Sequence, residues 1–450
     1  MGRNRRRPLP SEPATADIEG FSHDGRGVTH IDGKAVFVSG ALPGERVVFR
    51  YVGRSRSHDD GVVENVLRAS PERVEPACAV FGVCGGCSLQ HQDPHAQILA
   101  KQQTLLDNLA RIGHVTPETV REPLRGPLWG YRRKARLGVR YVPKKGGVLV
   151  GFRERQGNKL AVMERCEVLD PVVGHRLDEI SAMIAQLDAR DRIAQIEVAV
   201  GDTGAALAFR NLDPLNDADL AKLKAFGEAT GLWIYLQPGG PDTVTPFWPL
   251  DAQLRYRLDD FDVAYTFRPN DFTQVNAGIN RAMIPMALDL LDPQPDERVL
   301  DLFCGLGNFS LPLARRAGSV VGVEVEEALV QRARDNAAAN GIRNVEFHAA
   351  DLFLDFADSD WAKTPFDKLL LDPARTGAHE IVQAIEKLGL RDGKGAGPRR
   401  IVYVSCHPGT LARDAGVLVN DKGYRLLQAG VMDMFPHTTH VESIAVFERS

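Results

Sequence analysis

Cys406, Asp372 and Glu442 have the most chemistry to offer, and each stands beside an apolar run. Cys406 follows Ile401-Val-Tyr-Val404, Asp372 follows Lys368-Leu-Leu-Leu371, and Glu442 lies in the polar stretch Phe435 to Ser443 before the last apolar segment. If these runs are strands of an open α/β sheet, their C-terminal ends line the ligand crevice. A cysteine there points to covalent catalysis by its thiolate. Such a set suits methylation of a pyrimidine carbon. Uracil C5 is a poor nucleophile, but a thiolate added to C6 gives C5 carbanion character. A methyl group can then be accepted at C5, and a base must remove the C5 proton so that the thiolate leaves. Enzymes that methylate amino groups at the Asp372 position usually carry an aromatic after the proline, and Asp372-Pro-Ala-Arg375 has none. Taken singly, each residue has a plainer reading: a small buried cysteine, and solvated strand-end carboxylates.

A second constellation suits a nucleoside. Asp301 to Ser310 holds Gly305 and Gly307 between an apolar run and a helical pattern, and Glu324 ends the next apolar run, 23 residues after Asp301. Glycines let the backbone turn tightly and approach a ligand, and the later carboxylate can accept from two ribose hydroxyls. Ser310 takes the place of the third glycine of a dinucleotide fingerprint. That disfavours a pyrophosphate and leaves room for S-adenosylmethionine. Asp351 follows the third run and either meets the adenine amino group or caps a helix.

Elements must place these residues. Runs at 298–302, 320–324, 345–348, 368–371 and 401–404 alternate with helical stretches, which predicts a doubly wound parallel sheet. Short β-rich runs at 36–38, 46–52 and 61–66, split by glycines, predict a small barrel. The segment from Pro94 to Ile112 is helical, and 129–270 mixes strands with one or two helices. The expected division is a basic disordered arm over 1–14, a barrel over 15–70, a central α+β domain over 71–270 and an α/β domain over 271–450. A helix near 94–120 is expected to pack on that last domain.

Composition excludes whole classes. With 44% apolar and 25% charged residues in a 450-residue chain, the protein is neither largely disordered nor collagen-like. No apolar run approaches the roughly 18 residues of a membrane span. The basic start lacks an apolar stretch behind it, so no secretory signal is read and a cytoplasmic, membrane-free setting is expected. The net charge of −4 hides 13 Lys/Arg against 3 Asp/Glu between Arg121 and Arg165, so that block carries +10 and the remainder −14. It surrounds Trp129, Tyr131, Tyr141 and Phe152, a mix suited to phosphates and splayed bases or, more plainly, to a solvated strand face. Cys78, Cys84, Cys87 and the distant Cys166 make four soft ligands for Zn²⁺ or a [4Fe–4S] cluster, and spacing alone leans to zinc.

Six motifs together are highly specific. They run from Cys78 to His91, Phe272 to Asn280, Asp301 to Ala314, Leu371 to Gly377, Val404 to Pro408 and Met434 to Ser443. In these the chain resembles the RNA uracil-C5 methyltransferases over nearly its whole length, with the barrel similar to a TRAM domain. The resemblance implies an OB-like barrel, a central domain with a cysteine cluster and a Rossmann-like class I methyltransferase domain. It implies Cys406 as nucleophile and Glu442 as the base for the C5 proton. Gln274, Phe303, Asn308, Glu324, Asp351 and Asp372 would contact S-adenosylmethionine, with Arg375 beside Asp372. Cys78, Cys84, Cys87 and Cys166 would hold a [4Fe–4S] cluster of structural rather than redox role. The chain departs from the family at His407, where Asn is usual, and at Asp351, a position that varies between Asp and Asn. The tRNA-specific relatives are expected to lack the barrel and the cluster, which favours one flipped-out uridine of 23S rRNA as substrate, with no obligate protein partner. The competing readings are a tRNA or other rRNA uracil methyltransferase and an inactive cluster-bearing RNA-binding protein.

Overall fold

The computed structural model describes residues 9–145, 147–354, 356, 359–388, 390–391, 394–395 and 397–449, so most of the basic arm lies outside the described residues. The chain forms two compact units. One comprises 1–100 with 153–161 and 436–439, and the other 101–152, 162–435 and 440–450.

The first unit is built on six strands: β1 (Ala14–Asp17), β2 (Gly20–Phe21), β3 (Arg26–Ile31), β4 (Lys34–Ser39), β5 (Arg46–Arg54) and β6 (His58–Arg68). Their order is β1-β5-β6-β4-β3-β2. Because β1 pairs with β5 while β2, just downstream, pairs with β3, one short segment joins both edges and closes the sheet into a barrel. Alternating residues such as Val36, Val38, Val47 and Phe49 fill it. Gly61 is required there, since a Cβ would lie 2.5 Å from the Phe49 ring. After the barrel, the loop bearing Cys78, Cys84 and Cys87 is tied to the 153–161 segment by Gly85 N–H donating to the Arg153 carbonyl at 2.9 Å. Ser88 and Leu89 donate to the His437 carbonyl at 2.9 and 3.0 Å. Helix α1 (Pro94–Asn108) starts in this unit, with Asp93 accepting from His95 and Ala96 at its first turn.

The second unit holds two large sheets. After the short strand β7 (Thr119–Val120) come β8 (Lys134–Val142), β9 (Gly147–Gly151), β10 (Ile193–Val200), β11 (Ala205–Asn211), β12 (Trp233–Leu236) and β13 (Thr245–Trp248). They form a sheet ordered β13-β12-β11-β10-β8-β9, with helices α2 (Pro171–Gly174), α3 (Leu177–Ala185) and α4 (Asp217–Thr230) interspersed along the chain. A hairpin of β14 (Leu254–Leu258) and β15 (Val263–Phe267) leads to α5 (Ala277–Leu291).

The α/β sheet follows: β16 (Arg298–Leu302), α6 (Ser310–Ala314), β17 (Ser319–Glu324), α7 (Glu327–Ala339), β18 (Val345–Ala349), β19 (Lys368–Leu371) and α8 (His379–Gln383). A small hairpin, β20 (Leu390–Arg391) with β21 (Lys394–Gly395), precedes β22 (Arg400–Ser405), α9 (Pro408–Gly416), β23 (Arg425–Met432) and β24 (Glu442–Glu448). The order is β18-β17-β16-β19-β22-β24-β23-β7. β16 to β19 and β22 are parallel, and β24 runs antiparallel between β22 and β23. The near-continuous apolar strands suit a sheet covered on both faces. Residues 101–125 belong to this unit. β7 adds a parallel edge to β23, and Gly113 lies so close to α9 that a Cβ there would be 2.4 Å from the Ala412 carbonyl.

Candidate active site

Three neighbouring strands deliver the candidate reactive groups. β19 and β22 are parallel with Leu371 beside Tyr403, so Asp372 and the Cys406 turn leave the sheet at the same end. β22 and β24 are antiparallel with Ser405 paired to Ser443, and the next step of that register sets Cys406 against Glu442. Cys406 is half-buried, whereas Glu442 is 3% exposed. Burial, then the Glu442 and Asp372 carboxyls, push the Cys406 thiol up to about 11, while the Arg375 guanidinium pulls it back. Burial and Asp372 hold the Glu442 carboxyl well above the carboxylate range. Burial raises Asp372 to about 7, against a side-chain hydrogen bond from Gln274.

Arg375 is oriented by His440, whose Nδ1 lies 2.9 Å from Nη2. Since arginine only donates, that nitrogen is an acceptor and the ring is neutral. Burial and the Arg375 charge agree with this, lowering His440 to about 4. Lys101 anchors the strand end before this segment. Its ammonium, 3% exposed, meets Asp433 at 2.8 Å and donates to the Phe435 carbonyl at 2.9 Å.

Beside this corner opens a small cleft, lined among others by Phe272, Gln274, Phe303, Gly305, Asn308 and Asp372. Its floor is the turn after β16. Gly305 and Gly307 have φ of +56° and +88°, and nothing lies within 4 Å of where a Gly305 Cβ would stand. That bare backbone is the cradle a ligand needs. Phe303 also has a positive φ, +65°, an uncommon conformation for a bulky residue that here turns its ring into the cleft wall. Glu324 ends β17 with one oxygen accepting from Gly305 N–H at 3.1 Å and the other from Val325 N–H at 2.7 Å. Gln274 donates to Asp372 at 3.4 Å.

Four of the six expected cofactor contacts, Gln274, Phe303, Asn308 and Asp372, thus line one cleft, and Glu324 is bonded to its floor. Asp351 is placed differently: exposed, outside that lining, with its carboxylate accepting from Phe353 N–H at 3.0 Å. It caps a turn and not a helix. Within the basic block, Arg133 pairs with Asp202, Arg136 with Glu197 and Arg165 with Glu167. Tyr131 is core, whereas Trp129 and Tyr141 reach the surface. Cys78, Cys84, Cys87 and Cys166 carry no disulfide. Among the described residues no three His, Cys, Asp or Glu side chains form a group that could hold a metal ion, so the expected cluster finds no support in the geometry.

Sequence reasoning missed the supports of the glycine turn. Tyr256 donates to Asn308 Oδ1 at 2.9 Å, and Asn280 and Asn308 exchange amide hydrogen bonds at 2.9 and 3.2 Å. Tyr265 stacks on Tyr256 with centroids 4.6 Å apart and donates to the Gly307 carbonyl at 3.2 Å. Asn280 closes a motif that the sequence reading had singled out. The tyrosines carry no local signal, because their partners lie some 40 to 50 residues away.

Comparison with known proteins bears on this arrangement. The tRNA (Uracil-5-)-methyltransferase family model matches residues 250–450, and the TRAM domain model matches 14–50. A protein of Alkalilimnicola ehrlichii named 23S rRNA (uracil(1939)-C(5))-methyltransferase RlmD is 56% identical over 100% of this chain and 99% of its own. Its namesake from Hahella chejuensis is 54% identical over 99% of each chain. The crystal structure of a Pyrococcus abyssi tRNA (uracil-54, C5)-methyltransferase with S-adenosyl-L-homocysteine superposes with a TM-score of 0.72 at 24% identity, over 96% of this chain and 100% of that one. That likeness shows the fold, and it corrects one expectation. A chain named for tRNA spans nearly all of this architecture, so the barrel does not by itself separate the two RNA classes. Full-length identity above one half to proteins of one name, with family models matching at both ends, makes this chain a member of the RNA uracil-C5 methyltransferases.

Proposed function

We propose that the chain transfers a methyl group from S-adenosylmethionine to C5 of one uridine in 23S rRNA, the position numbered 1939 in the relatives' names. The observation that carries this reading is the register that opposes Cys406 to Glu442 beside a glycine-floored cleft.

S-adenosylmethionine supplies an electrophilic methyl on a positively charged sulfur. Cys406 Sγ, its proton passed to solvent, forms a bond to C6, and the C5–C6 π pair moves toward the C4 carbonyl. C5 then bonds the methyl carbon as the carbon–sulfonium bond breaks. Glu442, ionised at that stage, takes the C5 proton, the C5–C6 double bond re-forms and the Sγ–C6 bond breaks. The raised proton affinity of Glu442 favours its holding that proton. Arg375 opposes the two carboxyls at the thiol. Gln274, Phe303, Asn308 and Asp372 hold the methyl donor and Glu324 accepts from its ribose, while an adenine contact for Asp351, outside that lining, rests on the family resemblance alone. A [4Fe–4S] cluster on Cys78, Cys84, Cys87 and Cys166 belongs to the proposal on donor chemistry alone, since four cysteine thiolates are the ligands such a cluster takes. The setting proposed is the cytoplasm; no helix among the described residues is long and apolar enough to cross a membrane.

The test uses methyl-labelled S-adenosylmethionine, unmodified total bacterial RNA and anaerobically purified protein, with 5-methyluridine mapped by mass spectrometry. Label at one 23S rRNA uridine is expected, and Cys406→Ala should abolish it while still binding S-adenosylhomocysteine. Label in tRNA alone would move the substrate to the other RNA class. Iron and sulfide assays on the same preparation, expected near four of each per chain, decide the cluster.

A further inference from the structure

The turn that carries Cys406 is fixed from both sides. Upstream, Ser443 Oγ donates to the Ser405 carbonyl at 3.2 Å, in addition to the strand pairing of the two serines. Downstream, His407 is the N-cap of α9: its Nδ1 accepts from the Thr410 amide at 3.2 Å, with Pro408 at the first helical position. The His407 amide donates back to Ser405 Oγ at 3.2 Å. Cys406 is the one residue between these two anchors. N-cap acceptors are normally the short side chains Ser, Thr, Asp and Asn. Imidazole Nδ1 stands as many bonds from Cα as Asn Oδ1, so it can do the same work provided that it carries no proton. The bond to Thr410 therefore selects the neutral ring with its hydrogen on Nε2. The ring itself is exposed, so packing does not explain its position.

We propose that His407 is a positioning residue for methyl transfer: by capping α9 through an unprotonated Nδ1, it holds the Cys406 turn so that Sγ faces both Glu442 and the uracil C6. The inference rests on the reading of the site given above. It assigns to His407 the same task an asparagine would perform, and it separates that task from any contact with RNA.

The test compares the full-length parent with His407→Asn and His407→Ala. Steady-state formation of 5-methyluridine gives kcat and the KM for RNA. The rate of iodoacetamide alkylation at Cys406, followed by peptide mass spectrometry without RNA, reports the thiol's setting directly. The alanine variant should lose roughly tenfold or more in kcat, with the KM for RNA unchanged within about twofold. Its Cys406 alkylation rate should shift by about threefold or more, and asparagine should restore both quantities to within about threefold of the parent. An alanine variant with parental kcat, or a loss confined to KM, overturns the proposal. So does an asparagine variant as poor as alanine. Should alanine fail to fold, the asparagine variant decides alone: near-parental kcat and alkylation support the cap, and loss of either overturns it. A parent that makes no 5-methyluridine defeats the reading of the site, while the alkylation comparison still decides the positioning role.

Discussion

Burial and two neighbouring carboxyls push the Cys406 thiol up to about 11. Its alkylation in the RNA-free protein should therefore be slow at neutral pH and climb steadily toward pH 11. Glu442→Gln removes the carboxyl that raises the thiol more and should speed alkylation roughly threefold or more between pH 8 and 9, measured by peptide mass spectrometry. Asp301 gives a second prediction. Fully buried, with Ser310 as its hydrogen-bond donor, it is raised to about 8. A carboxyl whose folded value lies above its unfolded one binds more protons in the native state, so stability falls as pH rises. Its contribution is complete below the ordinary value of about 3.8 and is lost toward about 8. Melting temperature should decline across that window, and Asp301→Asn should flatten the decline. The strand-end placement of Cys406, Asp372 and Glu442 was legible from sequence because they sit in motifs that follow or border apolar runs. Tyr256 and Tyr265, which brace the glycine turn, were not, since only the fold brings them to Asn308 and Gly307.

At the level of elements, apolar runs located the α/β sheet closely. The run 368–371 is β19, and 298–302 is β16, because fully buried parallel strands leave an unbroken apolar stretch between polar turns. β7, two residues long, left no such stretch; it exists only because β23 offers an edge. The helical segment from Pro94 likewise ends in a wider turn, Leu109–Gly113, that a regular periodicity does not foresee. That turn meets α9 through bare backbone, so Gly113→Ala should push the helix away and cost about 1–3 kcal/mol. A lowered denaturation midpoint would record it. The Lys101–Asp433 pair is a stricter test, with side chains only 3% and 6% exposed. Lys101→Met alone should cost about 3–5 kcal/mol, whereas Lys101→Met with Asp433→Leu should be close to neutral. Urea titration of the three proteins checks this.

Over the whole molecule, charge counted along the chain overstated the surface available to RNA. Arg133, Arg136 and Arg165 are occupied by Asp202, Glu197 and Glu167, while Arg140 is exposed on β8. Arg140→Ala should weaken RNA binding and reduce the slope of log affinity against log salt by about 1. Arg133→Ala should leave that slope in place and lower the melting temperature. Filter binding across a salt series distinguishes them. The division into units was also only half legible, because composition marked the barrel but nothing local marks 153–161 or 436–439 as belonging with it. Those four late residues end just ahead of His440 and Glu442, and His437 is bonded to Ser88 and Leu89. The N-terminal unit is thus no cassette that a gene fusion could add or a single protease cut remove. A lineage that discarded it would have to re-route the chain leading to Glu442, the base proposed above.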